Sequence, residues 1–151
     1  MSDRLINIII GAVLLLHGLG HGGALGALLW IKFKSSVNTG AWSAAHSWAL
    51  PSLPNNAATT IASVFWILAL IGFVAAALSF WGVLVPEGAW RQIAVVSAII
   101  SIFGIILFMG IWPTFNTITA LGVNIAILVT QIWLHWPPQT MFGKWGTIYS
   151  Y

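Results

Sequence analysis

Residues 14 to 30 read LLLHGLGHGGALGALLW, with His17 and His21 four apart in a stretch free of Lys, Arg, Asp and Glu. Histidines at i and i+4 share a helix face, so the pair can ligate one ion, hydrogen-bond to a neighbouring helix, or offer an axial nitrogen to haem or another tetrapyrrole. Each chemistry makes a demand on the rest of the chain. A metal wants a third nitrogen, and His46 supplies one if its loop folds over the end of the first apolar run. A zinc hydrolase wants the glutamate of HExxH, which HGLGH lacks. One iron takes its axial ligands from opposite faces of the ring, so two histidines from one helix turn cannot both serve it. A haem reading therefore uses one of them, alone or with His46. A quinone or lipid headgroup is the remaining ligand class, and His135, between Trp133, Trp136 and two prolines, reads as an interface residue.

The elements that carry these residues follow from composition. Of 151 residues, 60% are apolar and 5% are charged, against about 25% charged in ordinary soluble domains. Four uncharged runs, about 5–31, 61–85, 93–112 and 117–136, each reach the roughly 20 residues that cross a hydrocarbon core about 30 Å thick. The expected fold is an all-α integral membrane protein, a single domain over 1–151 arranged as an up-down bundle of four transmembrane helices. The first run, 27 residues long, exceeds a signal-peptide core of about 7 to 15 and is expected to be a retained span. The absence of cysteine excludes disulfides, thiolate-ligated clusters and CxxCH haem attachment.

Five basic residues are too few and too scattered for a nucleic-acid footprint. Their placement bears on orientation instead. Arg4, Arg91 and Lys144 fall on the side that carries both termini, and Lys32 and Lys34 fall on the other. The positive-inside rule then places the termini in the cytoplasm, and a prokaryotic plasma membrane is the expected location. The turns LVPEGAW and WPTFN are short enough to make their flanking spans antiparallel neighbours. The longer first loop has Asn38 or Thr39 as a helix start, Pro51 as a stop, and Trp42, His46 and Ala49 at helical spacing, which predicts a short interfacial helix. Trp30, Trp42, Trp48, Trp112, Trp136 and Trp145 lie near span ends or in loops and read as interface anchors.

At 100° per residue, Asn7, His17 and His21 share one face of the first span, and Thr117, Asn124, Gln131 and His135 form a stripe on the fourth. His17 lies twelve residues from Leu5 and Asn124 twelve from Trp136, so both are about 18 Å from the side of the termini at 1.5 Å per residue. That equal depth predicts a His17–Asn124 contact within a polar seam between the two spans. The candidate cofactor-binding residues are thus His17, His21 and Asn124, for haem, another tetrapyrrole or a quinone. The candidate metal ligands are His17, His21 and His46.

Gly11, Gly18, Gly22 and Gly26 repeat the small-xxx-small spacing that admits a close partner helix. They predict that the first span is a central packing element, and that it meets other membrane subunits or a second copy of the chain. Ser63, Ser97 and Ser101 read as small packing residues. No span contains Asp or Glu, so a carboxylate relay has no support and no catalytic residue is assigned. The function expected from these features is a non-catalytic membrane subunit within a larger complex or oligomer. The alternatives are a cofactor-binding protein using His17 and His21, and a small permease or lipid-binding module.

Overall fold

A computed structural model describes residues 3–33, 45–84 and 86–138. It contains four helices long and apolar enough to cross a membrane: α1 (Asp3–Phe33), α2 (Asn55–Phe80), α3 (Trp90–Leu107) and α4 (Thr114–Leu128), the last continued by one wide turn, Val129–Trp133. No strand occurs among the described residues.

The helix ends explain where the expected runs shift. α2 starts six residues before the apolar run, because Pro54 has a helix-compatible φ of −58° and the Thr59 and Thr60 hydroxyls bond the carbonyls of Asn55 and Asn56. Polar residues can thereby sit in its first turns. Its last turn closes with Gly82 in the left-handed region at φ 67°, Gly82 N–H donating to Ser79 O and Val83 N–H to Leu78 O. This is a Schellman ending, which needs the glycine conformation. α3 stops at Leu107, short of the expected Trp112, where Phe108 leaves helical geometry and Gly110 turns at φ 96°. At the far end of α4, Leu134 N–H donates to Val129 O and Trp136 N–H to Thr130 O. That widened turn takes His135 off the helix, at φ 49°. The polar stripe expected to run through His135 therefore ends at Gln131.

The first loop differs from the expected interfacial helix in the part described. Residues 45–51 are irregular, and 34–44 lie outside the described residues, Trp42 among them. Ser47 Oγ donates to Leu107 O at 2.7 Å and the Trp48 indole to Ile106 O at 2.5 Å. The loop thus satisfies carbonyls that the end of α3 leaves open.

Each helix packs on the next in sequence, and the central place falls to α2, between α1 and α3, rather than to α1. Its buried residues Ala58, Ala62, Trp66, Ala69, Phe73, Ala76 and Phe80 recur every three or four positions, and its alanines let both neighbours approach. Gly18, on α1, lies against Phe73 and Val74; a Cβ there would sit 3.1 Å from Phe73 Cβ. Gly104, on α3, lies against Phe65 and Trp66, and Gly72 against Ser97. Two apolar clusters result. One holds Ala24, Leu28, Trp66, Ile105 and Ala120, the other Leu14, Phe73, Ala98 and Ile127. On α1, α3 and α4 the residues between these clusters are His17 and His21, Ser101, and Asn124.

Candidate functional site

These four residues form one hydrogen-bonded layer across three helices. His17 Nε2 lies 2.9 Å from Asn124 Oδ1, the contact that equal depth in the sequence predicts. Asn124 Nδ2 donates to Ser101 Oγ at 2.7 Å, and Ser101 Oγ lies 3.0 Å from His21 Nε2. His21, Ser101 and Asn124 are buried, and His17 is half-buried. Interhelical bonds of this kind average about 0.6 kcal/mol in membrane proteins. Stranding one partner of a buried pair costs more, about 1 to 3 kcal/mol.

The direction of the chain follows from donors and acceptors. Asn124 presents its amide oxygen to His17, so His17 Nε2 is the protonated nitrogen and donates. Ser101 Oγ accepts from the Asn124 amide, which leaves its own proton for His21 Nε2. A neutral His21 then carries its hydrogen on Nδ1, and that atom is buried without a partner among the described residues. An amide interrupts the chain, so it orients side chains and is not a proton wire.

Aromatic rings enclose His21. Trp66 and Phe73 stack on it at centroid distances of 5.9 Å each, Trp112 lies at 5.3 Å, and His17 meets it edge-on at 5.0 Å. Trp112, expected as an interface anchor, is buried, because the chain turns back at Gly110 and carries its ring beneath α1 against Trp66. Trp30, Trp48 and Trp136 are exposed, and Trp145 lies outside the described residues.

Beside this layer α1 and α4 diverge around a cleft of about 380 Å³, walled by His17, Gly20 and His21 on one side and by Asn116, Thr119 and Val123 on the other. A second cavity of about 280 Å³ continues the same seam towards Gln131 and Trp136. Val13 and Val123 line both, so the two cavities adjoin along the same pair of helices. Among the described residues no Lys, Arg, Asp or Glu lines either cavity.

The remaining expected residues are placed elsewhere. Asn7 is buried, with the Trp81 indole donating to its backbone carbonyl at 3.4 Å. Among the described residues Asn7 Oδ1 and Gln131 Oε1 each lack a partner, so no bond there joins the two into the polar seam. Thr117 bonds back to Pro113 and Trp112 carbonyls. His46 sits at the end of α3, its ring against Gly110. Among the described residues no group of three or more His, Cys, Asp or Glu could hold a metal ion, and both histidine Nε2 atoms are engaged within the layer. Of the four glycines in the expected small-xxx-small stripe, Gly11 faces the Trp81 indole and Gly18 and Gly22 face α2, while Gly26, like Gly20 and Gly23 elsewhere on α1, has open space beside it.

Ser101 is the member of the layer that the sequence does not single out. Eleven residues from Trp90 place it about 16 Å deep, close to the depth of His17. That depth counts from the observed helix start, three residues before the expected run at 93, and a lone serine in an apolar helix reads first as packing. Compared with protein families, with curated proteins and with solved structures, the chain shows no significant match.

Proposed function

We propose that the chain is a non-catalytic integral membrane protein of four spans that binds an apolar small molecule from the bilayer in the groove between α1 and α4. The reading places it in a prokaryotic plasma membrane with cytoplasmic termini. One observation carries the binding reading: a cleft of about 380 Å³ lies directly against the buried His17–Asn124–Ser101–His21 layer. Ligand sites are typically about 300 to 1,000 Å³, mostly apolar, with a few oriented polar groups. Two helices packed only for stability would close such a gap, since each unfilled volume forfeits dispersion contacts.

The test is to block the groove. Gly20 lines it, and an added Cβ there meets nothing within 4 Å, so Gly20→Trp fills the cleft from a tolerant position. In mild detergent the unaltered protein is expected to bind a fluorescent long-chain alkyl probe saturably. Gly20→Trp is expected to weaken this at least tenfold with its melting temperature kept. Equal affinity in the two proteins would overturn the reading.

A second reading, a non-catalytic subunit of a larger complex or oligomer, is favoured by a different feature. Gly23 and Gly26 are exposed on α1 with open space beside each, which suits close approach of another helix. Gly26→Leu is expected to reduce the mass of a detergent-solubilised assembly to that of the lone chain. A lone chain before the substitution argues against this role.

A further inference from the structure

We propose that the group recognised in the α1–α4 cleft is a neutral carbonyl oxygen, carried on an apolar chain and accepting a hydrogen bond from His21 Nδ1; this rests on the cleft being a ligand site. Three observations converge on that chemistry. His21 is 1% exposed and walls the cleft, yet its Nδ1 has no partner among the described residues. The layer behind it fixes that nitrogen as a donor, because Ser101 satisfies Nε2 and is itself held by Asn124. Among the described residues no charged side chain lines the cleft, so a carboxylate or phosphate headgroup would be buried there without compensation.

A donor in an uncharged wall selects an uncharged acceptor. Carbonyls of that kind in a bilayer belong to quinones and to acyl esters, and the groove accommodates the chain of either. Its lining on α1 runs from Ile9 to Ala24, about 22 Å at 1.5 Å per residue. That exceeds one leaflet of a core about 30 Å thick, so an elongated molecule fits it better than a compact macrocycle. Trp112 walls the same cleft, its ring 5.3 Å from the imidazole.

The experiment uses the whole chain in lipid nanodiscs with three probes of equal chain length: an alkyl benzoquinone, an acyl glycerol and a plain alkane, the first two carrying ¹³C at the carbonyl. Infrared difference spectra are expected to show a downshifted carbonyl band for the quinone, the ester or both, and whichever shifts identifies the source. Ser101→Ala removes the group that fixes the His21 tautomer without itself lining the cleft. It is expected to abolish the downshift and weaken that probe about tenfold, the equivalent of one 1.4 kcal/mol contact, while alkane binding is kept. Binding of all three probes with no carbonyl shift would overturn this inference and leave the cleft standing as an apolar site. Failure of all three to bind would overturn the cleft reading as well.

Discussion

Ser101 Oγ accepts from Asn124 Nδ2 at 2.7 Å, and through that contact α3 aims the Asn124 amide oxygen at α1. Without it the amide could rotate freely about its last torsion. With it, the oxygen faces His17 and the contact between α1 and α4 is an oriented bond. Asn124 is 0% exposed, so both of its polar atoms must be satisfied inside the bundle.

A double-mutant cycle reads this coupling. His17→Leu is expected to cost about 1 to 2 kcal/mol, because it leaves the buried Asn124 oxygen without its donor. Asn124→Leu should cost more, since it strands both His17 and Ser101. The double substitution should be more stable than the sum of the two losses, with a coupling of about 0.6 to 1.7 kcal/mol. Reversible unfolding in mixed micelles measures all four proteins. Strict additivity would show that the 2.9 Å contact contributes nothing.

The sequence makes this pairing legible because depth in a span is arithmetic: His17 and Asn124 are each twelve residues from the same side. Helix ends are less legible, since they depend on backbone closure. α3 ends at Leu107 only because Gly110 can adopt φ 96° and the first loop returns to bond the Ile106 and Leu107 carbonyls. Tryptophan roles are the least legible. Trp112 and Trp136 both sit near span ends, yet one is buried against His21 and the other is exposed, a difference set by turn geometry and not by residue type. Glycine spacing likewise shows that α1 will be approached closely without saying by which helix.

Substitution of individual glycines separates packed from open faces. A Cβ on Gly104 would lie 2.8 Å from Phe65 Cβ and 2.9 Å from Trp66, whereas one on Gly26 meets nothing within 4 Å. Gly104→Ala is therefore expected to destabilise by about 1 to 3 kcal/mol, the range for overpacking. Gly26→Ala should be neutral or stabilising by up to about 1 kcal/mol, through helix propensity alone. Thermal melts of both variants check the opposite signs. Equal effects would mean that α2 and α3 are farther apart than described.

Arg91 secures the segment after α4. Its Nη2 donates to His135 O at 3.2 Å and to Pro137 O, and its guanidinium lies 5.2 Å from the Trp90 ring centroid. Arg91→Gln removes a charge-assisted donor. The contact is partly exposed, and solvent discounts it, so a loosening of about three- to tenfold is expected rather than unfolding. Hydrogen exchange at the Leu134 and Trp136 amides, which donate to Val129 O and Thr130 O, should quicken by that factor while the amides of α2 stay protected. Unchanged exchange at both positions would show that the wide turn is held by its own backbone bonds.

Zinc or nickel added in excess is expected to leave the melting temperature unchanged. Ligation by His17 and His21 through Nε2 would take the donor from Asn124 and the acceptor from Ser101, so metal capture must first break two buried contacts and strand their partners. His46, the third nitrogen that spacing suggested, stands at the end of α3 against Gly110, and no group of three or more ligating side chains forms among the described residues. A site with real affinity would announce itself, because a ligand at about 100 times its Kd stabilises the folded state by about 2.7 kcal/mol. A rise in melting temperature with zinc that disappears in His46→Ala would show instead that the loop closes over α1 and that the three histidines meet.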